Sequence, residues 1–181
     1  MNKLFLFLSF IIIANYISAE DKLSNKRLES LAKQGDLVSQ IELANAYRNG
    51  IGVTQDYKTA VKWFTLAAQQ GDAVSQFNLG IIYSFGLGVV PDYKPAVKWY
   101  KLAAEQGNPL AQYNLGRLYY LGKGVPEHLV YAHMWAQQAS SNGFKMGTEL
   151  TELLTELMTE NQIEEAQRLR NECMIKKYKG C

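Results

Sequence analysis

Residues 72–107 read DAVSQFNLGIIYSFGLGVVPDYKPAVKWYKLAAEQG, and residues 36–71 before them read DLVSQIELANAYRNGIGVTQDYKTAVKWFTLAAQQG. The two segments agree at 21 of 36 positions, among them Gln40/Gln76, Leu43/Leu79, Tyr47/Tyr83, Asp56/Asp92, Ala60/Ala96 and Trp63/Trp99. Residues 108–143 drift further but keep Gln112, Leu115, Tyr119, Ala132, Trp135 and Ala139. Gly35, Gly71, Gly107 and Gly143 stand at a constant spacing of 36. Self-similarity at such a period signals stacked supersecondary units, so one reading of the unit applies three times.

Each unit reads as two helices. Asp36, Asp72 and Asn108 stand where an N-cap accepts orphan backbone N–H groups, and Pro109 follows where a missing N–H costs least. The first helix runs to Gly50, Gly86 or Gly122, which end it in the left-handed conformation. After the loops GIGV, GLGV and GKGV, Asp56 and Asp92 open the second helix, and Pro126 is expected to start the equivalent helix of the third unit. Ala60, Trp63 and Ala67, then Ala96, Trp99 and Ala103, share one face through spacings of three and four. Gly80, Gly116, Ala60, Ala96 and Ala132 recur where helices approach closely; Tyr47, Tyr83, Tyr119, Trp63, Trp99 and Trp135 recur where space must be filled. A single pair cannot bury such faces, so neighbouring units must stack. All 14 glycines except Gly147 and Gly180 occupy these recurring positions.

The pattern Gln-x-x-Leu-Gly-x-x-Tyr, Gly-x-Gly-Val, Asp-Tyr-Lys-x-Ala-Val-Lys-Trp and Ala-Ala-x-Gln-Gly resembles the Sel1-like repeat family, a relative of the tetratricopeptide repeat. The resemblance covers Asp36–Gly143, with Ala44 in place of the first-helix Gly in unit one, and Leu129 and Val130 in place of Tyr-Lys in unit three. It implies an all-α, right-handed α/α solenoid of helix-turn-helix repeats with helical caps. The expected division is residues 20–35 as an N-terminal cap helix, 36–71, 72–107 and 108–143 as repeats, and 144–181 as a C-terminal helical cap with a Cys-containing tail. In the caps, Leu28 and Leu31 are core candidates. Leu150, Leu153, Leu154 and Leu157 form a helical stripe, and Thr159 to Gln162 has capping-box spacing before Ile163, Ala166 and Leu169.

The first 19 residues read differently. Lys3, the apolar run Leu4–Ile13 and the small exit residue Ala19 fit a secretory signal peptide cleaved after Ala19, and the run is too short for a comfortable bilayer span. The expected location is periplasmic or secreted, with no stable membrane span after cleavage. In an exported chain, Cys173 and Cys181 are expected to pair, within the chain first and between chains as the alternative. Eight residues of unbroken helix would hold them about 12 Å apart, so the chain must turn between them, and Gly180 assists.

Composition sets further bounds. The 181 residues carry 19 Lys+Arg and 17 Asp+Glu, a formal charge of +2, and 48% are apolar. That much apolar surface requires a folded core, and the near-neutral balance argues against a nucleic-acid partner, whose backbone demands a concentrated excess of cations. Two Cys are too few for a disulfide-dense scaffold.

The sequence assembles no catalytic set. Ser30-Leu31-Ala32-Lys33 has the Ser-x-x-Lys spacing of penicillin-recognising enzymes, yet Ser-Asp-Asn and Lys-Thr-Gly partners are absent from the sequence. The Gly-x-Gly loops follow helices rather than strands and lack the third Gly of a dinucleotide fingerprint. His128 and His133 are five apart, not the four that would align two metal ligands; His133 aligns with Val61 and Val97 and reads as partly buried and hydrogen-bonded. Glu149, Glu152 and Glu156 read as a solvated face. No catalytic residue, metal or cofactor is expected.

The resemblance also implies where a partner sits. Relatives hold peptides or proteins on a concave surface lined by the first helices. Mapped onto this chain, that groove comprises Ile41, Asn45 and Arg48; Phe77, Asn78, Ile81 and Phe85; and Tyr113, Asn114, Arg117 and Tyr120. Asn78 and Asn114 stand at the level that contacts a peptide backbone in related clamps. The expected function is a non-enzymatic protein- or peptide-binding adaptor exported to the bacterial envelope. The alternative is a β-lactam- or peptidoglycan-fragment-binding protein, by analogy with Cys-rich relatives, whose Cys pairs inside successive repeats this chain lacks.

Overall fold

The computed structural model describes residues 25–181. The signal-peptide reading and the start of the cap helix fall outside these residues. Every regular element described is helical. The chain divides into two compact units, with the boundary between Gln70 and Gly71 in the sequence.

The first unit contains α1 (25–33), α2 (Leu37–Asn49) and α3 (Tyr57–Gln69). Asp36 caps α2 by accepting from the Ser39 N–H at 2.8 Å, and hydrogen bonding by the Ser39 hydroxyl first and its N–H second holds the carboxyl below the usual carboxylate range. Asp56 caps α3, and the Thr59 hydroxyl at 2.6 Å lowers its carboxyl in the same way. Leu43, Ala44, Ala60, Phe64 and Ala67 form the fully covered packing surface. In α1 the core residue is Ala32, whereas the expected Leu31 is 38% exposed and Leu28 is half-buried. The Gln40 side chain donates to the Ala32 carbonyl, 3.0 Å away, and ties the short helix to α2.

The second unit contains α4 (Ala73–Phe85), α5 (Tyr93–Ala104), α6 (Pro109–Leu121), α7 (Leu129–Ser141), α8 (Lys145–Leu157) and α9 (Glu160–Ile175). Asp72 and Asn108 cap α4 and α6. The third unit departs from expectation at its second helix. That helix is capped by His128, whose Nδ1 accepts from the Tyr131 N–H at 3.3 Å, rather than opened by Pro126. The backbone explains the position: the amides of Asp56, Asp92 and His128 donate to the carbonyls of Tyr47, Tyr83 and Tyr119 at 2.9, 2.9 and 3.0 Å, so loop length fixes the cap whatever residue occupies it.

Beyond Gly143 the period continues. Helices α4, α6 and α8 are each 13 residues long and start 36 apart. In the C-terminal hairpin α8 therefore takes the place of a fourth first helix, whereas α9, after a loop of only Met158 and Thr159, packs on α7 rather than on α8. Gly147 belongs to a recurring position after all, following Ser39, Ser75 and Ala111, all buried. A Cβ on Gly147 would lie 2.6 Å from the Ser140 amide nitrogen and 2.8 Å from the Ala136 carbonyl. Only glycine lets α8 approach α7 this closely.

Two adjoining clusters make the core of this unit. Tyr100, Ala103, Leu115, Leu118 and Trp135 build one, and Val130, Ala136, Leu150, Leu154 and Ala166 the other. Each large buried apolar side chain contributes about 1.5–3 kcal/mol. Among the recurring tryptophans only Trp135 is fully covered; Trp99 is half-buried, and Tyr100 beside it takes the core position. Trp135 is covered because α9 packs on α7 and brings Cys173 into its cluster. Buried glutamines join the helices by polar contacts: the side chain of Gln106 donates to Gln76 at 2.7 Å, Asn142 donates to Gln112 at 2.9 Å, and Gln112 donates to the Ala104 carbonyl at 3.1 Å.

The chain end turns back on α7. Cys173 and Cys181 form a disulfide with Cα atoms 5.6 Å apart. Lys177 and Tyr178 adopt left-handed φ values of 50° and 65°, which side-chain-bearing residues do at a cost. The Tyr178 hydroxyl accepts from Gln138 Nε2 at 3.1 Å, and its ring packs against the core.

Candidate functional site

Helices α4, α6 and α8 occupy equivalent positions in successive periods, and one side of them is covered by α5, packed on α4 and α6, and by α7, packed on α6 and α8. The other face carries two clefts. The first, of about 240 Å³, lies between α4 and α6 and is lined by Ser84, Phe85, Asn114, Arg117 and Leu121, with Tyr93, Tyr100, Leu118 and Lys123 completing it. The second, of about 330 Å³, lies between α6 and α8 and is lined by Tyr113, Tyr120, Met146, Glu149, Leu150 and Leu153. Arg117 and Leu121 line both. Each cleft is at or below the roughly 300–1,000 Å³ typical of small-molecule pockets.

The side chains are placed by local geometry. Gly124, with φ of 75°, brings the α6–α7 loop against the Tyr93 backbone so tightly that any Cβ would collide with it. This lays Lys123 over the Tyr93 ring, 5.1 Å from its centroid. The Arg117 guanidinium stands 5.7 Å from the centroid of Tyr113, one helical turn away, a cation–π arrangement. Tyr113 is held edge-on by Phe144, with centroids 5.2 Å apart. Neither Arg117 nor Lys123 has an ion-pair partner among the described residues. Burial raises the Tyr100 phenol above its ordinary value, so it stays a neutral hydrogen-bonding group.

The residues mapped from sequence divide into two groups. Phe85, Asn114 and Arg117 reach the first cleft, and Tyr113, Arg117 and Tyr120 the second. Phe77 instead packs on Tyr100, centroids 5.9 Å apart; Ile81 also packs against the core, and Asn78 is buried. Asn114 spends one amide hydrogen on the Leu110 carbonyl of its own helix, at 2.8 Å. In the first unit, Asn45 bonds the Ile41 carbonyl at 2.9 Å, and Arg48 lies 5.7 Å from the Phe64 ring centroid. The mapping missed Tyr93, Lys123, Met146 and Leu153. Met146 and Leu153 lie one period beyond Leu110 and Arg117, so extending the 36-residue register past Gly143 was the signal that would have found them.

Ser30 is exposed on α1, and the Lys33 ammonium lies 2.7 Å from Glu29, which occupies the group a serine nucleophile would need. His128 and His133 part company. His133 is buried between α7 and α8 with Nε2 3.2 Å from Thr155 Oγ1. Glu152 and Glu156 border an open, hydroxyl-rich hollow with Thr148, Thr151 and Thr155.

The fold is an all-α repeat solenoid whose uncovered first-helix face suits protein contacts. The family described as Sel1 repeat matches residues 37–72, 73–108 and 109–144, and the chain belongs to that family. Such repeats typically serve as protein-interaction scaffolds and are generally non-enzymatic. The chain is similar to the crystal structure of a Sel1 repeat protein from Oxalobacter formigenes, at 37% identity and a TM-score of 0.64, over 70% of this chain and 96% of that one. It also matches a protective antigen from uropathogenic Escherichia coli strains displaying an SLR fold, at 23% identity and a TM-score of 0.47, over 87% of this chain and 57% of that one. No curated protein matches.

Proposed function

We propose that this protein is an exported, non-enzymatic adaptor that holds a segment of a partner protein across the face of α4, α6 and α8. The observation that carries this reading is the pair of clefts joined through Arg117 and Leu121. Around them, Phe85 is 71% exposed, and Leu121, Leu153 and Leu157 are also open to solvent, more apolar surface than a face with no partner needs. Aromatics and arginine dominate binding energy at interfaces, and both clefts supply them. Phe85, Tyr113, Asn114, Arg117 and Tyr120 are the contact residues in this reading, with Phe77, Asn78 and Ile81 supporting them from beneath.

Export is supported by the Cys173–Cys181 disulfide, which suits an oxidising compartment. Among the described residues no helix is long and apolar enough to cross a membrane. The working location is the periplasm or the cell exterior after cleavage at Ala19.

The test is affinity capture from envelope extract with the native protein and with a triple variant, Phe85→Ala, Tyr113→Ala and Arg117→Ala, whose helicity is verified by circular dichroism. The expected outcome is loss of a specific partner by at least about tenfold, the scale of a single hot spot. A folded variant that retained every partner would remove the assignment.

A further inference from the structure

The first cleft departs from the repeat at the positions that line it. In the 36-residue register, Arg117 stands where the unit before has Ile81 and the next period has Leu153, and Lys123 stands where the earlier loops carry Ile51 and Leu87. Tyr100 takes the core position that Phe64 fills one period earlier and Ala136 one period later. Phe64 and Ala136 are fully covered, so packing at this position needs no hydroxyl. All three departures bring hydrogen-bond donors to one cleft, and two of them bring positive charge.

Nothing in the cleft balances that charge. Its lining contains no carboxylate, and neither cation has an ion-pair partner among the described residues. Each is instead laid over an aromatic face, Arg117 at 5.7 Å from the Tyr113 centroid and Lys123 at 5.1 Å from that of Tyr93. A ring face positions a cation but carries no net charge, so the positive potential stays open to a ligand. The floor is polar too. Tyr100 is 2% exposed, and the Ser84 hydroxyl is buried with no hydrogen bond of normal geometry among the described residues. Buried hydroxyls without a partner are costly, and an acceptor reaching the floor relieves that cost.

Size and walls narrow the ligand. A volume of about 240 Å³ falls below the roughly 300–1,000 Å³ of small-molecule pockets and suits one side chain. Phe85 and Leu121 wall the cleft with exposed apolar surface, which a bare inorganic anion leaves uncovered and a methylene stem covers. The second cleft, whose lining holds Glu149 as well as Arg117, has no such excess of charge.

We propose that the α4–α6 cleft receives a glutamate side chain of the partner, its carboxylate held by Arg117 and Lys123 and by the Tyr100 and Ser84 hydroxyls, its methylenes against Phe85 and Leu121. This inference rests on the adaptor reading and deepens it by naming the chemistry the partner presents.

The experiment follows NMR chemical shifts of the full disulfide-bonded protein, with Arg117 Nε and the amides of Ser84, Leu121 and Lys123 as reporters, while glutamate blocked as its N-acetyl methylamide is added at millimolar concentration. Saturable shifts centred on these groups are expected, weakening with added salt. The equivalent blocked glutamine, of the same shape but neutral, should bind at least about tenfold more weakly, the scale of one charge-assisted hydrogen bond. Tyr100→Phe keeps the buried ring and should weaken binding of the glutamate compound about tenfold, with the glutamine compound little affected. Replacing both exposed cations, Arg117→Gln with Lys123→Gln, should remove the salt dependence. Equal binding of the two compounds, or no saturable shift, would overturn the proposal. Inorganic phosphate causing the same shifts at lower concentration would overturn it as well, since the cleft would then hold an anion without its stem. Unchanged binding in Tyr100→Phe would remove the floor from the site. If the glutamate compound failed while the triple variant still lost its captured partner, the ligand inference would fall and the adaptor reading would stand.

Discussion

Gly80 shows how one residue sets a helix crossing. A Cβ there would overlap the ring of Tyr100, which is buried beneath α4. Replacing Gly80 with Ala gains about 1 kcal/mol of helix propensity, but overpacking costs about 1–3 kcal/mol. A net loss of up to about 2 kcal/mol is expected, read as a lower urea midpoint. The cause is checked by a cycle: Tyr100→Leu should destabilise the Gly80→Ala protein less than it does the native one, and additive effects would show that the ring is not the obstacle.

The small residue at this position was legible from its recurrence in Gly80 and Gly116. The identity of its partner was not. Sequence spacing placed the recurring tryptophans in the core, while the structure buries Tyr100, one residue on, and leaves Trp99 half-covered. Helical periodicity defines a face about 100° wide, and adjacent residues on its edge compete for the centre. The neighbouring helix settles which one wins.

At the scale of elements, α7 is the helix most constrained by its neighbours. Thr155 donates its hydroxyl to the Thr151 carbonyl at 2.8 Å, so it accepts from His133 Nε2, and this assigns the Nε2–H tautomer. His133 Nδ1 is then a buried acceptor with no partner among the described residues. Burial holds the imidazole below its ordinary value of 6.5. A depressed basic group leaves the folded state neutral, while the unfolded chain takes up a proton below about pH 6.5. Stability is therefore complete above that value and declines as pH falls through it, by up to about 1.4 kcal/mol for each unit of depression. Urea midpoints should fall between about pH 7.5 and 5.5, where imidazoles titrate, and the slope should flatten in His133→Gln. An unchanged slope would exclude His133 as its source. The capping carboxylates Asp36 and Asp56 act in the same direction, but only at more acidic pH, because their values are also lowered.

The tail after α9 is a second element-scale device. Closing a loop of this length by a disulfide stabilises by about 2–3 kcal/mol in the chain-entropy model. The closure also sustains the left-handed Lys177 and Tyr178 and the Tyr178–Gln138 bond. In the Cys173→Ser, Cys181→Ser protein, trypsin should cut rapidly at Lys176, Lys177 and Lys179, all exposed, and the thermal midpoint should drop. Equal cleavage of native and variant proteins would mean that the tail is held by packing alone. The need for a turn between the two Cys was legible in the sequence. The docking of Tyr178 on α7 was not, because a single residue far from the repeat carries no periodic signal.

For the molecule as a whole, the sequence by itself determined the all-α class, the 36-residue period, the helix starts at Asp36, Asp72 and Asn108 and the loops that end in left-handed glycines. These follow from local physics: capping, backbone freedom at glycine and a repeated apolar spacing act within one or two turns. Only the tertiary structure decided that the period runs on into α8, with Gly147 as its close-contact residue and Met146 and Leu153 as cleft walls. It also separated the mapped face into buried Asn78 and core-packed Phe77 beside open Phe85 and Arg117. Exposure depends on which neighbouring helix covers a position, and that long-range relation leaves no trace in the spacing of residues along one helix.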